Sequence, residues 1–202
     1  MRLAVDVMGG DHAPDAILKG CIDALDVLAD DDELMLIGHE DVITEHLAER
    51  GISDPRFTVV HAPDVIPMDE SPTRAVRQRT ESSIVKMALL GSHKAEKPID
   101  VVISAGNTGA CVAAGIMHMK RLPGVHRPGI AVTIPAFHGP IVLCDAGANP
   151  EPRGTHLWQY GVMADVYARE VMGIENPRVA LMNIGSEEAK GSDLVKQARD
   201  LL

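Results

Sequence analysis

"VISAGNTGACVAAG", residues 102–115, is the stretch on which the fold turns. It opens as a buried strand and closes as an amphipathic helix. Between the two lies a turn of small and polar residues: Ser104, Gly106, Asn107, Thr108 and Gly109. A strand that passes at once into a helix is half of a βαβ unit. The same alternation recurs in both directions along the chain. Strands are predicted at 2–7, 33–38, 56–61, 99–104, 129–134, 140–145 and 178–184, most of them near-continuous apolar runs of the kind that parallel strands show when both faces are covered. Helical stripes fall between them: Ile17, Cys21, Ala24, Leu25 and Leu28; Cys111, Val112, Ile116 and Met119; Leu157, Gly161, Ala164, Ala168 and Val171. The prediction is a three-layer α/β fold, a mostly parallel sheet with helices on both faces and right-handed crossovers.

Two stretches break this rhythm. The runs at 129–134 and 140–145 are joined by "PAFHG", too short for a crossover helix, so they are expected to add an antiparallel hairpin to the sheet. "SPTRAVRQRTESSIVKMALLGSHK" (71–94) reads as one long helix opened by Ser71-Pro72. Its polar first half would leave Arg74, Arg77 and Arg79 free to reach a solvent-lined site. No repeat, low-complexity tract or linker divides the chain, and residues 1–202 are expected to form a single α/β domain.

Charge and composition exclude whole classes of partner. The 202 residues carry 29 acidic against 19 basic side chains, a formal charge of -10, which argues against nucleic acid. With aromatic residues at 2%, there is no stacking platform for single strands. Cys21, Cys111 and Cys144 sit in apolar contexts without a CxxC pair, as reduced thiols of a cytosolic protein do. No run reaches the ~18 apolar residues of a membrane span, and "RLAVDV" follows the first methionine without a signal-peptide pattern. A soluble, cytoplasmic chain is the expectation.

Open α/β sheets bind ligands beyond the carboxyl ends of their strands. Four segments predicted on that edge share glycines, Asn or Asp, and helix starts. They are "DVMGGDHAP" (6–14) with Gly9, Gly10, Asp11 and His12; "SAGNTGA" (104–110); "DAGANPEPRG" (145–154) with Asp145 and Asn149; and "NIGSEEAKG" (183–191) with Asn183 and Lys190. Glycine lets the backbone approach a ligand closely. A helix N-terminus offers unpaired N–H groups and a partial positive charge. The turn at 104–109 is therefore expected to hold a small anion, a phosphate. Each feature also has a plain structural reading: Asn107, Thr108 and Asp11 as helix caps, Asn149-Pro150 as a turn, Lys190 as a solvated lysine at a helix start. The standard nucleotide cradles GxxxxGK[ST] and GxGxxG are absent. So are HxH and HExxH spacings, which leaves a zinc site unsupported. No GxSxG elbow occurs, and Ser82-Ser83 lack an obvious partner base, so acyl-enzyme chemistry has no support either. Neither a metal nor a cofactor is expected.

Taken together, "DVMGGDHAP", "SSIVKMALL…DVVISAGNTGA", "LCDAGANPEPRGTHLWQYGVMADVYA" and "RVALMNIGSEEAKG" resemble the PlsX family of bacterial phosphate acyltransferases, from residue 2 to about residue 191. The resemblance implies transfer of an acyl group from acyl carrier protein to inorganic phosphate, giving an acyl phosphate for phospholipid synthesis. It also implies a homodimer and a Rossmann-like sheet of the isocitrate dehydrogenase and phosphotransacetylase kind. Phosphate would be the nucleophile, and the protein would orient it and stabilise the thioester oxyanion. On this reading the catalytic candidates are His12, Asn107 and Lys190. Gly9, Gly10, Asp11, Ser104, Gly106, Thr108, Gly109, Asp145, Asn149 and Asn183 line the substrate. The amide-rich turn would meet one negative group, and Lys190, His12 or an arginine of the 74–79 segment the other. Arg74, Arg77, Arg79, Lys120, Arg121 and Arg127 would offer the acidic carrier protein a basic patch.

The chain departs from the family at Val7, often alanine there, and in stopping at "KQARDLL", where family members continue into further glycine-rich motifs and helices. The expectation is a chain lacking the C-terminal part that helps complete the sheet, the acyl pocket and the dimer contact, and that holds any helix touching a membrane peripherally. The alternatives are a coenzyme A-dependent phosphotransacetylase and a truncated, non-catalytic phosphate-binding fold. A dehydrogenase ranks behind these because a metal-binding aspartate cluster is missing.

Overall fold

A computed structural model describes residues 1–185 and 190–202. The chain divides into two compact units, Met1–Lys120 and Arg121–Leu202, and each is taken by itself.

The first unit is built on a four-stranded parallel sheet in the order β3-β2-β1-β4. The strands are β1 (Arg2–Asp6), β2 (Glu33–Gly38), β3 (Phe57–His61) and β4 (Val101–Ile103), and α1 (Asp15–Asp23) and α2 (Glu40–Glu49) fall between the first three. Alternation along the strands sends successive side chains to opposite faces. Val5, Leu34 and Leu36 pack with Leu18 and Cys21 of α1 and Ile43 of α2. Ala4, Met35 and Ile37 pack on the other face with Met87 of α4 (Ser83–Leu90). Helices thus cover both faces, the three-layer arrangement expected. β1 and β2 are the buried centre. β4 is an outer strand with Val101 and Ile103 partly exposed, unlike the fully covered run the sequence suggested.

The long helix expected over 71–94 is two helices. Pro72 opens α3 (Pro72–Gln78) at its first position, where a missing N–H costs nothing. The helix then stops at Arg79, and α4 begins after Ser82. Tertiary contacts decide the break. Asp64 and Ser82 form a parallel bridge, and Asp64 O accepts from Ser83 N at 3.2 Å. The Arg79 side chain is drawn out to Glu70 (2.6 Å) and Asp64 (2.8 Å). Serines at 82 and 83 favour caps over helix interiors, so little opposes the break. A third cluster unites Ile66, Val76 of α3, Ile84 and Val85 of α4, and Ala110 and Ala114 of α5 (Thr108–Ala114).

The second unit contains β5 (Ala131–Ile134), β6 (Ile141–Cys144), α6 (Gly154–Glu170) and α7 (Asp193–Arg199). The hairpin forms with Ala131 opposite Cys144 and Ile134 opposite Ile141, but it makes a two-stranded sheet of its own. Gly154 lets α6 approach α7: a β-carbon there would lie 2.8 Å from Gln197 Cβ. Of the α6 stripe, Ala168 is buried whereas Val171 is 64% exposed; Tyr160 and His156 take the inner face instead. The strand expected at 178–184 does not form. Val179, Met182 and Ile184 are exposed, and apolar β-branched composition makes a strand only where a neighbour supplies the ladder.

Candidate functional site

β1 and β4 are neighbours in parallel register, Val5 opposite Ile103, so the turns leaving them emerge side by side at the carboxyl edge of the sheet. Asp6, the last residue of β1, is 1% exposed. Its Oδ2 accepts from Ser104 Oγ at 2.7 Å and its Oδ1 from Met8 N at 3.1 Å. Ser104 Oγ in turn accepts from Gly106 N at 3.1 Å. This carboxylate ties the two turns together, and hydrogen bonds to a charged group are the strong class, about 1.5–3 kcal/mol each. The turns touch through bare backbone. A β-carbon on Gly9 would lie 2.4 Å from Asp6 Oδ2 and 2.7 Å from Gly106 N, and Gly10 has φ +113°. Only glycine fits either position.

Asn107 caps α5, its Oδ1 accepting from Ala110 N at 3.0 Å. Its Nδ2 donates to the carbonyls of Pro67 (3.0 Å), Met68 (3.2 Å) and Glu70 (3.2 Å). The side chain is 5% exposed and committed at both ends. It fixes the 104–108 turn to the segment that follows β3, which makes it a positioning residue. Thr108 opens α5 exposed to solvent. Gly109 serves packing, since a β-carbon there would meet Pro72 Cγ at 2.5 Å. Asp11 and His12 are exposed on the turn between β1 and α1. Asp11 is not the cap of α1, whose N-cap position is Pro14 with no side-chain cap bond.

Arg79 does not reach a solvent-lined site as expected; Glu70 and Asp64 hold it, because two carboxylates on the β3–α3 segment outcompete water for its fork. Arg74 and Arg77 remain exposed, Arg74 Nε donating to Gln78 Oε1 at 3.2 Å. Burial pushes the Cys21 thiol up to about 11. Burial does the same at Cys144, with the neighbouring Asp145 charge adding to it. Cys111 is also raised by burial, partly offset by the Ser104 hydroxyl. Thiols held in this state are poor nucleophiles at neutral pH.

In the second unit, Asp145 organises the loop after β6. Its carboxylate accepts from Ile130 N (2.8 Å), Ala148 N (3.1 Å), Asn149 N (2.8 Å) and Asn149 Nδ2 (3.3 Å). Burial alone would raise its pKa, but the N–H donors prevail and hold it below the usual carboxylate range. Asn149 Nδ2 also donates to Pro128 O at 2.7 Å. Asn183 closes the last loop, donating to Lys190 O (3.2 Å) and accepting from Ile184 N (2.9 Å). Gly191 (φ +99°) stands where a β-carbon would lie 2.7 Å from Asn183 Oδ1. Lys190 is exposed and, with Lys196 and Arg199, lines a cavity of about 540 Å³. Glu187 and Glu188, which precede Lys190 in the sequence, lie outside the described residues.

Asp6, the Asn107 tether and the Arg79 clamp were not legible as such. The signal for Asp6 was a lone carboxylate ending a buried apolar strand.

Comparison with known proteins adds a family. A model of the family described as "Fatty acid synthesis protein" matches residues 1–202. The phosphate acyltransferase of Bacillus licheniformis is 44% identical over 198 residues, covering 98% of this chain and 58% of that protein. That of Bacillus subtilis is 43% identical over 203 residues, covering 100% and 59%. The chain thus spans about three fifths of the length of these relatives. Among solved structures, the EutD phosphotransacetylase of Staphylococcus aureus matches with a TM-score of 0.66 at 17% identity, covering 100% of this chain and 63% of that one, a likeness of fold. The chain belongs to the fatty acid synthesis protein family, the PlsX phosphate acyltransferases.

Proposed function

We propose that the protein transfers a fatty acyl group from acyl carrier protein to inorganic phosphate. A phosphate oxygen attacks the thioester carbonyl carbon, the C–O bond forms, and the carbonyl oxygen carries the negative charge of a tetrahedral intermediate. That intermediate collapses with loss of the C–S bond, and the departing thiolate takes up a proton, leaving acyl phosphate and a free carrier thiol. No residue of the protein is acylated, in keeping with the raised thiol pKa values.

The observation that carries this reading is the contact of Gly9 with Gly106 beneath the start of α5. It leaves bare backbone at the point of contact, and Asp6, Ser104 and Asn107 fix the shape of the turn before any ligand arrives. Preorganised N–H groups of this kind orient a phosphate or stabilise an oxyanion without reorganisation at the moment of reaction. Ser104, Gly106 and Thr108 of this turn, with Gly9 and Gly10 of the turn after β1, are the residues assigned to bind substrate, and His12 is the group of the same unit that carries charge to phosphate or oxyanion. Arg121 and Arg127 are assigned to the carrier protein, whose acidic surface they complement. The enzyme is read as a cytoplasmic homodimer with peripheral membrane association.

A coenzyme A-dependent phosphotransacetylase is the second reading, favoured by the likeness to the EutD fold. Acyl phosphate formation from acyl carrier protein and acyl-coenzyme A thioesters, measured side by side, separates them. The carrier-dependent reading expects the higher kcat/KM with the carrier thioester, and charge reversal at Arg121 and Arg127 raises that KM alone.

A further inference from the structure

Two hydroxyls at the start of α4 have no partner among the described residues. Ser82 is the N-cap residue and Ser83 the first residue of the eight-residue helix, and neither side chain makes a cap bond. They are 0% and 1% exposed, and both Oγ atoms lack a hydrogen-bond partner among the described residues. Ser83 N donates to Asp64 O. The next N–H groups, of Ile84 and Val85, belong to the first helical turn, which has no intrahelical carbonyl to meet. Four donors are thus left over at one buried helix end. A buried hydroxyl without a partner is costly, so its presence in a native fold calls for an acceptor.

The position of this helix end matters. α4 lies between β3 and β4 in the chain and packs on the parallel sheet, so it runs back against the strands and starts at their carboxyl edge. α5 starts at the same edge, after β4. Ile84 and Val85 share a cluster with Ala110, the third residue of α5. The end of α4 and the 104–108 turn are therefore neighbours. The nearby charges are accounted for: Arg79 pairs with Asp64 and Glu70, and Lys86 pairs with Glu81 at 3.0 Å.

We infer that Ser82 and Ser83 form a phosphate-binding subsite, their hydroxyls and the first N–H groups of α4 donating to oxygens of the same phosphate that the 104–108 turn faces. The inference rests on the phosphate acyltransfer reading and deepens it by adding two binding residues. An acceptor-rich ligand satisfies hydroxyl and N–H donors together, and phosphate offers several oxygens. Asp64 meets both serines through its backbone, and its carboxylate is turned to Arg79.

The test compares wild type with Ser82→Ala, Ser83→Ala, Ser82→Cys and Ser83→Cys, following acyl phosphate formation as inorganic phosphate is varied. The cysteines keep side-chain volume while weakening the donor, which guards against a loss of folding in the alanine variants. The expected result is a phosphate KM raised about tenfold or more, with the acyl-donor KM unchanged within roughly twofold. The ligand-free alanine variants melt no lower than wild type, since no protein bond is lost. An unchanged phosphate KM overturns the inference. If Tm also falls, the hydroxyls serve an internal water instead. A wild-type enzyme whose thioester consumption ignores phosphate strikes the function reading rather than the subsite.

Discussion

Gly9 and Gly106 meet backbone to backbone at the carboxyl edge of the first unit's sheet, and the 2.7 Å between a β-carbon built on Gly9 and Gly106 N leaves no room for a side chain. Gly9→Ala must therefore push the two turns apart or displace the Asp6 carboxylate. Overpacking of this kind costs about 1–3 kcal/mol. The expected outcome is a folded protein with a lower Tm and a phosphate KM raised about tenfold, read from thermal melts and steady-state kinetics.

Asn107 tests whether preorganisation matters apart from contact. Asn107→Ala removes the α5 cap, worth about 0.5–2 kcal/mol. It also takes a donor from carbonyls of the 67–70 segment, each of which costs about 1–3 kcal/mol if left buried and unpaired. Loss of about 2–4 kcal/mol in urea unfolding is expected. Asn107→Asp keeps the cap oxygen but faces three carbonyls with a second oxygen, so its stability should not return to wild type.

Arg79 is predicted to be structural. Its partners are partly exposed, which keeps the pair energies small, and a double-mutant cycle of Arg79→Ala with Glu70→Ala should give a small favourable coupling. A coupling near zero would mean that the guanidinium is free for other work.

His156 makes stability depend on pH. Burial first, then the Arg127 and Arg153 guanidinium groups and His126, hold its pKa below the usual histidine value. The unfolded chain therefore binds the proton more readily than the folded one. The stabilisation is complete above the unfolded pKa of about 6.5 and is lost as pH falls from there through the folded value. Melting curves from pH 7.5 to 5.5 should show Tm dropping towards acid in the wild type, with a shallower drop in His156→Gln.

The alternation of strand and helix was legible because parallel strands buried on both faces leave apolar runs, as at 33–38. The turn at 104–109 was legible because it sits where strand composition gives way to helix. Its detailed chemistry was not. Asn107 finds its partners about 40 residues upstream, which no local pattern encodes. The break at Arg79 was hidden for the same reason, since helical periodicity continues across it while Asp64 and Glu70 act from outside the segment. At 178–184 composition misled: the run has strand-forming residues, but a ladder depends on a neighbour that sequence does not supply.

The central claim is that a turn of small residues, held by Asp6 and Asn107, serves a reaction in which phosphate is the nucleophile. Its most direct test is the rate of thioester loss from acyl carrier protein as inorganic phosphate is varied, with acyl phosphate measured in the same samples. The account predicts saturable dependence on phosphate and one acyl phosphate formed per thioester consumed. Thioester loss at an undiminished rate without phosphate, with free fatty acid as the product, would contradict it.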